Sequence, residues 1–353
     1  MVPDKYRQLT EEEVRNQICK IKSKLGKRLV ILGHHYQRDE VVELSDFRGD
    51  SYGLCKKAAE QKEAEFIVFC GVHFMAEAAD IVSNPNQIVQ IPDLTAGCPL
   101  ADFADLTSVT KAWKDIDSIC STDSIVPITY INSSAEIKAF CGQHNGAVCT
   151  SSNAAAAFKW AYNRSEKLFF FPDQHLGTNT GNKLGISTNE RIVWDADQPL
   201  GGNSPEKIKQ AKLMLWKGHC HVHTWFNLDH IQMVRKTYPE AKVIVHPECI
   251  EEVVNSSDDN GSTSYIVNYV EQARSTTTIA VGTELNLVHR VAKENPDKKV
   301  FPLARSMCPN MYKINLYNLY WTLENLGKIN IVQVPQRVKK NALMALDQML
   351  QIT

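Results

Sequence analysis

Two spacings of apolar and polar residues alternate along the chain. Short apolar runs that end in polar residues are followed by stretches with apolar positions at helical spacing, and this order predicts parallel sheets with crossover helices. The runs fall into three sets. The first strands are RLVILGHHY (28–36), SIVPITYIN (124–132) and AKVIVHPEC (241–249). The second are EFIVFCGVHF (65–74), GAVCTSSNA (146–154) and a short piece reaching GSTSY (261–265). The third are QIVQIPDLTAGC (87–98), KLFFFPDQHLG (167–177) and TIAVGTELN (278–286), with IPD (91–93) and FPD (171–173) at matching places. The expected fold is α/β, with three Rossmann-like parallel-sheet units around a pseudo-threefold axis. The first unit spans 1–110 and is completed by 305–353, the second spans 111–222, and the third spans 223–304.

Two outer helices frame these units. LTEEEVRNQICKIKSKLG has Thr10 as a cap, acids in its first turn and Gly26 as a stop. In VPQRVKKNALMALDQMLQI (334–352), Pro335 suits the start and the Leu/Met positions read as core. A length of 353 residues fits two or three units of domain size. A net charge of −1 removes the broad basic surface expected of a nucleic-acid or anionic-membrane binder. The polar start MVPDKYRQLTEEEV lacks a signal-peptide core, and no apolar run reaches the roughly 20 residues of a membrane span. The chain therefore reads as cytosolic. Its ten cysteines, with no CxxC pair, then read as buried thiols or metal ligands rather than disulfides. Cys19, Cys55, Cys70 and Cys141 fall within element patterns and read as core.

Open parallel sheets bind ligands beyond the carboxyl ends of their strands. The polar residues there are His34, His35, Tyr36, Tyr130, Asn132, His246 and Glu248. His246 and Glu248, two apart, share a face of an extended segment and suit a general acid/base pair, or equally a hydrogen-bonded pair at a sheet edge. GDSYGLCKKAAE (49–60), TSSNAAAAF (150–158) and GSTSYIVNYVEQA (261–273) each put Ser or Thr before a helix. There a hydroxyl either caps the helix or helps its free N–H groups hold an anion. Cys98, Cys220 and Cys308 lie in Gly- or Pro-containing loops after each unit, and two of them precede proline, a context that recurs in iron–sulfur ligation. Three thiolates would hold a [4Fe–4S] cluster by three irons and leave the fourth open.

Taken together, GHHYQ (33–37), GDS (49–51), AGCPLADF (96–103), YINSSAEIKA (130–139), CTSSNA (149–154), FFPDQHLG (170–177), HPEC (246–249), GST (261–263), GTE (282–284), CPNM (308–311) and the W.G.C.VH..F pattern of 216–226 resemble the quinolinate synthase family of bacterial NAD biosynthesis over nearly the whole chain. The resemblance implies a [4Fe–4S] cluster on Cys98, Cys220 and Cys308. It implies condensation of iminoaspartate with dihydroxyacetone phosphate to quinolinate, with loss of phosphate and two waters. An aspartate-oxidising enzyme would supply the iminoaspartate. It also implies a substrate site of His34, Ser51, Tyr130, Ile131, Asn132, Ser151, His223, His246, Pro247, Glu248 and Thr263. Tyr36, which also lines that site, His246 and Glu248 are candidates for the proton transfers. No GxGxxG fingerprint accompanies the Rossmann-like units, so they imply no dinucleotide cofactor.

GHCHVH (218–223) also admits a different chemistry, a zinc hydrolase site of His219, His221 and His223 with Glu248. If the stretch is a strand, the three histidines share a face. If it is a turn entering a helix, Cys220 and His223 lie on one side. A further alternative is a non-catalytic iron–sulfur protein, which needs a fourth ligand, with Cys249 the nearest cysteine.

Overall fold

The computed structural model describes residues 2–352. Fourteen strands among them form three sheets. The first sheet contains β1 (Leu29–His34), β2 (Phe47–Gly49), β3 (Phe66–Cys70), β4 (Ile88–Gln90) and, from much later in the chain, β14 (Ile331–Val332). The second holds β5 (Ile125–Tyr130), β6 (Ala147–Cys149), β7 (Lys167–Phe171), β8 (Arg191–Trp194) and β9 (Leu213–Trp216). The third holds β10 (Lys242–Val245), β11 (Asp259–Asn260), β12 (Thr278–Gly282) and β13 (Lys299–Pro302). Every pairing is parallel except β14 on β4. The α/β, Rossmann-like class expected from the apolar runs is the one observed.

The three sheets share one strand order. A short strand flanks the first long one, with two more beyond it: β2-β1-β3-β4, β6-β5-β7-β9 and β11-β10-β12-β13. This corrects the alignment read from the sequence. FIVFC is β3 and matches β7, not β6, so IPD follows a fourth strand and FPD a third. The counterparts of β6 in the other two sheets are β2 and β11, of three and two residues. Elements that short carry no apolar run, and β2 is only partly buried. The residues of GSTSY begin a helix, Thr263–Gln272, rather than a strand.

The chain packs as two compact units. One comprises the residues up to Cys98, Glu284–Arg290 and Met307–Pro335; the other comprises Pro99–Thr283, Val291–Ser306 and the residues from Gln336 onward. The first contains the first sheet. Its helix Glu11–Leu25 is closed by a Thr10–Glu13 capping box and ends at Gly26, whose φ is +53°. Val14 and Ile18 face inward, and Cys19, one position on, is exposed; it is not a core residue. Cys55, Cys70 and Cys141 are buried as expected.

The second and third sheets belong to the other unit, where β5 and β7 are buried almost throughout and β10 from its second residue. Helix Gln336–Gln351 packs on helix Ala135–Gln143 through Ala342, Ala345, Leu346 and Met349. Gly142 makes this approach possible, because a Cβ there would lie 1.9 Å from the Asn341 carbonyl oxygen. Gly→Ala inside a helix ordinarily gains up to about 1 kcal/mol from propensity. Overpacking against backbone costs about 3 kcal/mol and wins here. Gly142→Ala is therefore expected to lower the denaturation midpoint of this unit, and a raised midpoint would show that the two helices separate freely.

Candidate active site

The polar residues singled out in the sequence occupy repeated topological positions. His34, Tyr130 and His246 stand at the carboxyl ends of β1, β5 and β10, and Tyr36, Asn132 and Glu248 follow each by two. Ser51, Ser151 and Thr263 come just after the short strands β2, β6 and β11. Cys98, Cys220 and Cys308 come after the fourth strands β4, β9 and β13.

In the unit of the first sheet, the Tyr36 backbone N–H donates to His34 Nδ1 at 3.1 Å, and the Tyr36 ring meets His34 edge-on. Asn286 donates to the Tyr36 carbonyl at 3.0 Å. The turn is held from behind by Arg290, which donates to the carbonyls of His35 and Gln37 and to the Asp39 carboxylate. Burial, with Arg290 beside it, brings the His35 pKa down to about 4. Helix Ser51–Glu60 is capped by Asp50, which accepts from Gly53 N–H, so the serine that follows it is not its cap. Glu284, fully buried, is pushed up to about 8 by that burial, against the pull of N–H groups of Asn286, Leu287 and Cys308 and of Arg290.

The other unit brings together more of the candidate site. The Tyr130 hydroxyl donates to Glu248 Oε1 at 2.5 Å. His223 Nδ1 lies 3.0 Å from Glu248 Oε2, and its Nε2 lies 3.2 Å from Thr283 Oγ1. The His223 and His246 rings stack at 4.3 Å. All of these side chains are buried. Burial alone would raise the Glu248 pKa, but His223, His246 and the hydrogen bonds from His223 and Tyr130 outweigh it and hold the group as a carboxylate. Asp173, buried at the end of β7, goes the other way: burial and then the Glu248 charge push it well above the carboxylate range. Its Oδ1 caps helix Gln174–Lys183 by accepting from His175 and Leu176.

His246 has a defined tautomer. The Glu248 backbone N–H donates to its Nδ1 at 3.3 Å, repeating the His34–Tyr36 turn, so Nε2 carries the proton and faces Ser151 Oγ at 3.2 Å. Ser151 therefore accepts from the histidine and keeps its own proton for another partner. The neighbouring Ser152 is exposed.

Burial brings the His246 pKa from 6.5 to about 3, with His223 adding to the effect. A folded-state pKa below the unfolded one means that the unfolded chain binds more protons. Stability is then intact above about 6.5 and lost as pH falls toward 3. Between pH 7.5 and pH 5 the loss from this residue is about 2 kcal/mol. Denaturant midpoints at the two pH values check this: His246→Gln is expected to flatten part of the slope, and an unchanged slope in that variant counts against the assignment.

Of GHCHVH, Cys220 caps a single helical turn, His221–Thr224. His219 and His221 are exposed, with His219 against Phe103, while His223 is buried on Glu248. The three-histidine zinc arrangement is therefore not formed. The loop is pinned by Gly218, whose carbonyl accepts from Gln174 N–H and where a Cβ would lie 2.3 Å from the Pro172 carbonyl oxygen. Cys249 is fully buried in the third sheet's core with Val243 and Val253, and burial pushes its thiol well above the usual range. Cys98, Cys220 and Cys308 are each only partly buried.

Sequence reasoning assigned no role to Asp173, Thr283 or the buried pair Ser133 and Lys138. Lys138 Nζ donates to the Ser133 carbonyl, and Ser133 Oγ donates to the Tyr130 carbonyl at 2.8 Å, which steadies the turn behind Tyr130. The FPD and GTE motifs contained the first two, but a carboxyl and a hydroxyl at strand ends have no distinguishing spacing.

Residues 16–351 match the family described as quinolinate synthetase A protein. The chain is 47% identical over 356 residues to a quinolinate synthase of Anoxybacillus flavithermus, covering 99% of this chain and 96% of that one. It is 45% identical to quinolinate synthases of Bacillus subtilis, over 100% and 97% of the two chains, and of Corynebacterium glutamicum, over 100% and 91%. No helix among the described residues is long and apolar enough to cross a membrane.

Proposed function

Because the chain belongs to the quinolinate synthetase A family, we propose that it condenses iminoaspartate with dihydroxyacetone phosphate to quinolinate, releasing phosphate and two waters, in the cytosolic de novo route to NAD. The supporting observation is the buried network of Tyr130, Glu248, His223 and His246, four side chains that a structural role alone does not require in one place. Iminoaspartate comes from an aspartate-oxidising enzyme.

Cys98, Cys220 and Cys308 would hold a [4Fe–4S] cluster. The donor set fits: these three thiols are partly accessible and sit in equivalent loops, whereas Cys55, Cys70, Cys141, Cys149 and Cys249 are sealed in cores. When bound, such a cluster supplies a Lewis acid at its open iron.

The chain's own side chains do the rest. Glu248 is a permanent carboxylate at neutral pH and takes a substrate proton at Oε1 or Oε2. The Tyr130 phenol on Oε1 tunes that basicity and donates in turn. His246 stays neutral and fixes the Ser151 hydroxyl, which donates to a substrate anion. Ser51 and Thr263, in the first turns of helices, hold the remaining anionic groups, where free N–H groups add to the hydroxyls. His34, Ile131, Asn132 and Pro247 shape the pocket, and Tyr36 is a second proton donor. Anaerobic turnover with iminoaspartate and dihydroxyacetone phosphate, scored as quinolinate, tests the proposal; iron-loaded protein that forms none refutes it.

A further inference from the structure

Cys220, His223 and Glu248 offer ligand atoms that all lie within 4.8 Å of one another. We propose that the cluster-free chain binds one zinc ion on these three residues, at a site that shares Cys220 with the proposed cluster and uses neither Cys98 nor Cys308. A thiolate, an imidazole and a carboxylate form a donor set that zinc takes in tetrahedral geometry, with water as the fourth ligand. Two such ligands at zinc stand about 3.3 Å apart for nitrogen and oxygen, and about 3.6 Å for sulfur and nitrogen, given bonds of about 2.0 to 2.3 Å.

His223 Nδ1 and Glu248 Oε2 are already 3.0 Å apart, so the ion replaces the shared proton with a small outward shift. Cys220 has at most about 1.2 Å left to close, the 4.8 Å bound less the about 3.6 Å separation, and it sits on a partly buried loop at the start of a one-turn helix. The surroundings support the ligands as outer partners do in zinc sites. Tyr130 donates to the carboxylate oxygen that the ion does not use, and Thr283 Oγ1 faces the far nitrogen of the imidazole. On binding, the imidazole proton moves from Nδ1 to Nε2, where Thr283 Oγ1 accepts its hydrogen bond, and the Cys220 thiol releases its proton to solvent. One proton is thus lost per zinc.

The test uses the full chain purified in air and stripped with EDTA, titrated with Zn2+ against a chromogenic chelator. The expected result is one zinc per chain, weakened at least about 100-fold in Cys220→Ser and in Glu248→Gln, and unweakened in Cys98→Ser and Cys308→Ser. X-ray absorption at the zinc edge is expected to show one sulfur among nitrogen and oxygen neighbours. Three sulfurs, or equal weakening in Cys308→Ser, would overturn the proposal, as would wild-type affinity in Glu248→Gln. Iron and sulfide content after anaerobic reconstitution without zinc reports separately on the cluster, so the two assignments fail independently.

Discussion

Cys98→Ser, Cys220→Ser and Cys308→Ser are each expected to abolish both stoichiometric iron and quinolinate formation, while Cys249→Ser keeps its iron. The contrast follows from where the thiols lie. Cys249 is sealed in the third sheet's core, against residues of β10 and helix Glu251–Ser256, and its thiol resists ionisation. A thiolate must form before iron binds, and a fully buried thiol pays for that charge without water. The other three follow fourth strands and are each only partly buried; burial raises the Cys308 thiol too, but less than that of Cys249. Replacing Cys249 by serine leaves a buried hydroxyl, which costs stability of about 1 to 3 kcal/mol but no ligand. Iron and acid-labile sulfide per chain after anaerobic reconstitution decide the matter. Loss of iron in Cys249→Ser as well would restore the four-cysteine alternative, and an iron-loaded Cys308→Ser would remove Cys308 from the ligands.

Glu248→Gln is expected to lower turnover by about 10²- to 10⁴-fold with iron unchanged. The carboxylate accepts from two donors at once, the Tyr130 hydroxyl on Oε1 and His223 on Oε2. A glutamine has one acceptor oxygen, so one of those donors must face an amide N–H instead. Its side chain also cannot take a proton near neutral pH. Tyr130→Phe removes only one hydrogen bond and is expected to lose less. Steady-state quinolinate formation at fixed iron content separates the two, and near wild-type turnover in Glu248→Gln would exclude it from the proton transfers.

Much of this was legible in the chain. The apolar runs marked β1, β5 and β10 with their polar ends, because buried parallel strands leave long uninterrupted signals. The strand order within each repeat was not legible. It depends on β2 and β11, which are too short to leave a pattern. The Ser and Thr residues before helices could equally be caps or ligands, and only geometry separates them. Asp50 and Ser262 are caps, while Ser151 turns to His246. His246 read as an acid/base partner of Glu248 from its spacing. Its tautomer depends on a backbone N–H donated by Glu248 itself, which no residue pattern announces. The pairing of Tyr130 with Glu248 joins residues 118 apart, and only folding reveals it.

The discontinuous make-up of the two units bears on how the chain leaves the ribosome. β4 emerges early, but its outer edge is covered only when β14 pairs antiparallel to it, Ile331 opposite Gln90 and Val332 opposite Val89. Through the synthesis of everything between, the nascent first sheet presents an unpaired strand edge, a template for association with other chains. Slow translation or truncation before residue 331 is therefore expected to cost soluble yield well before it touches any side chain of the site.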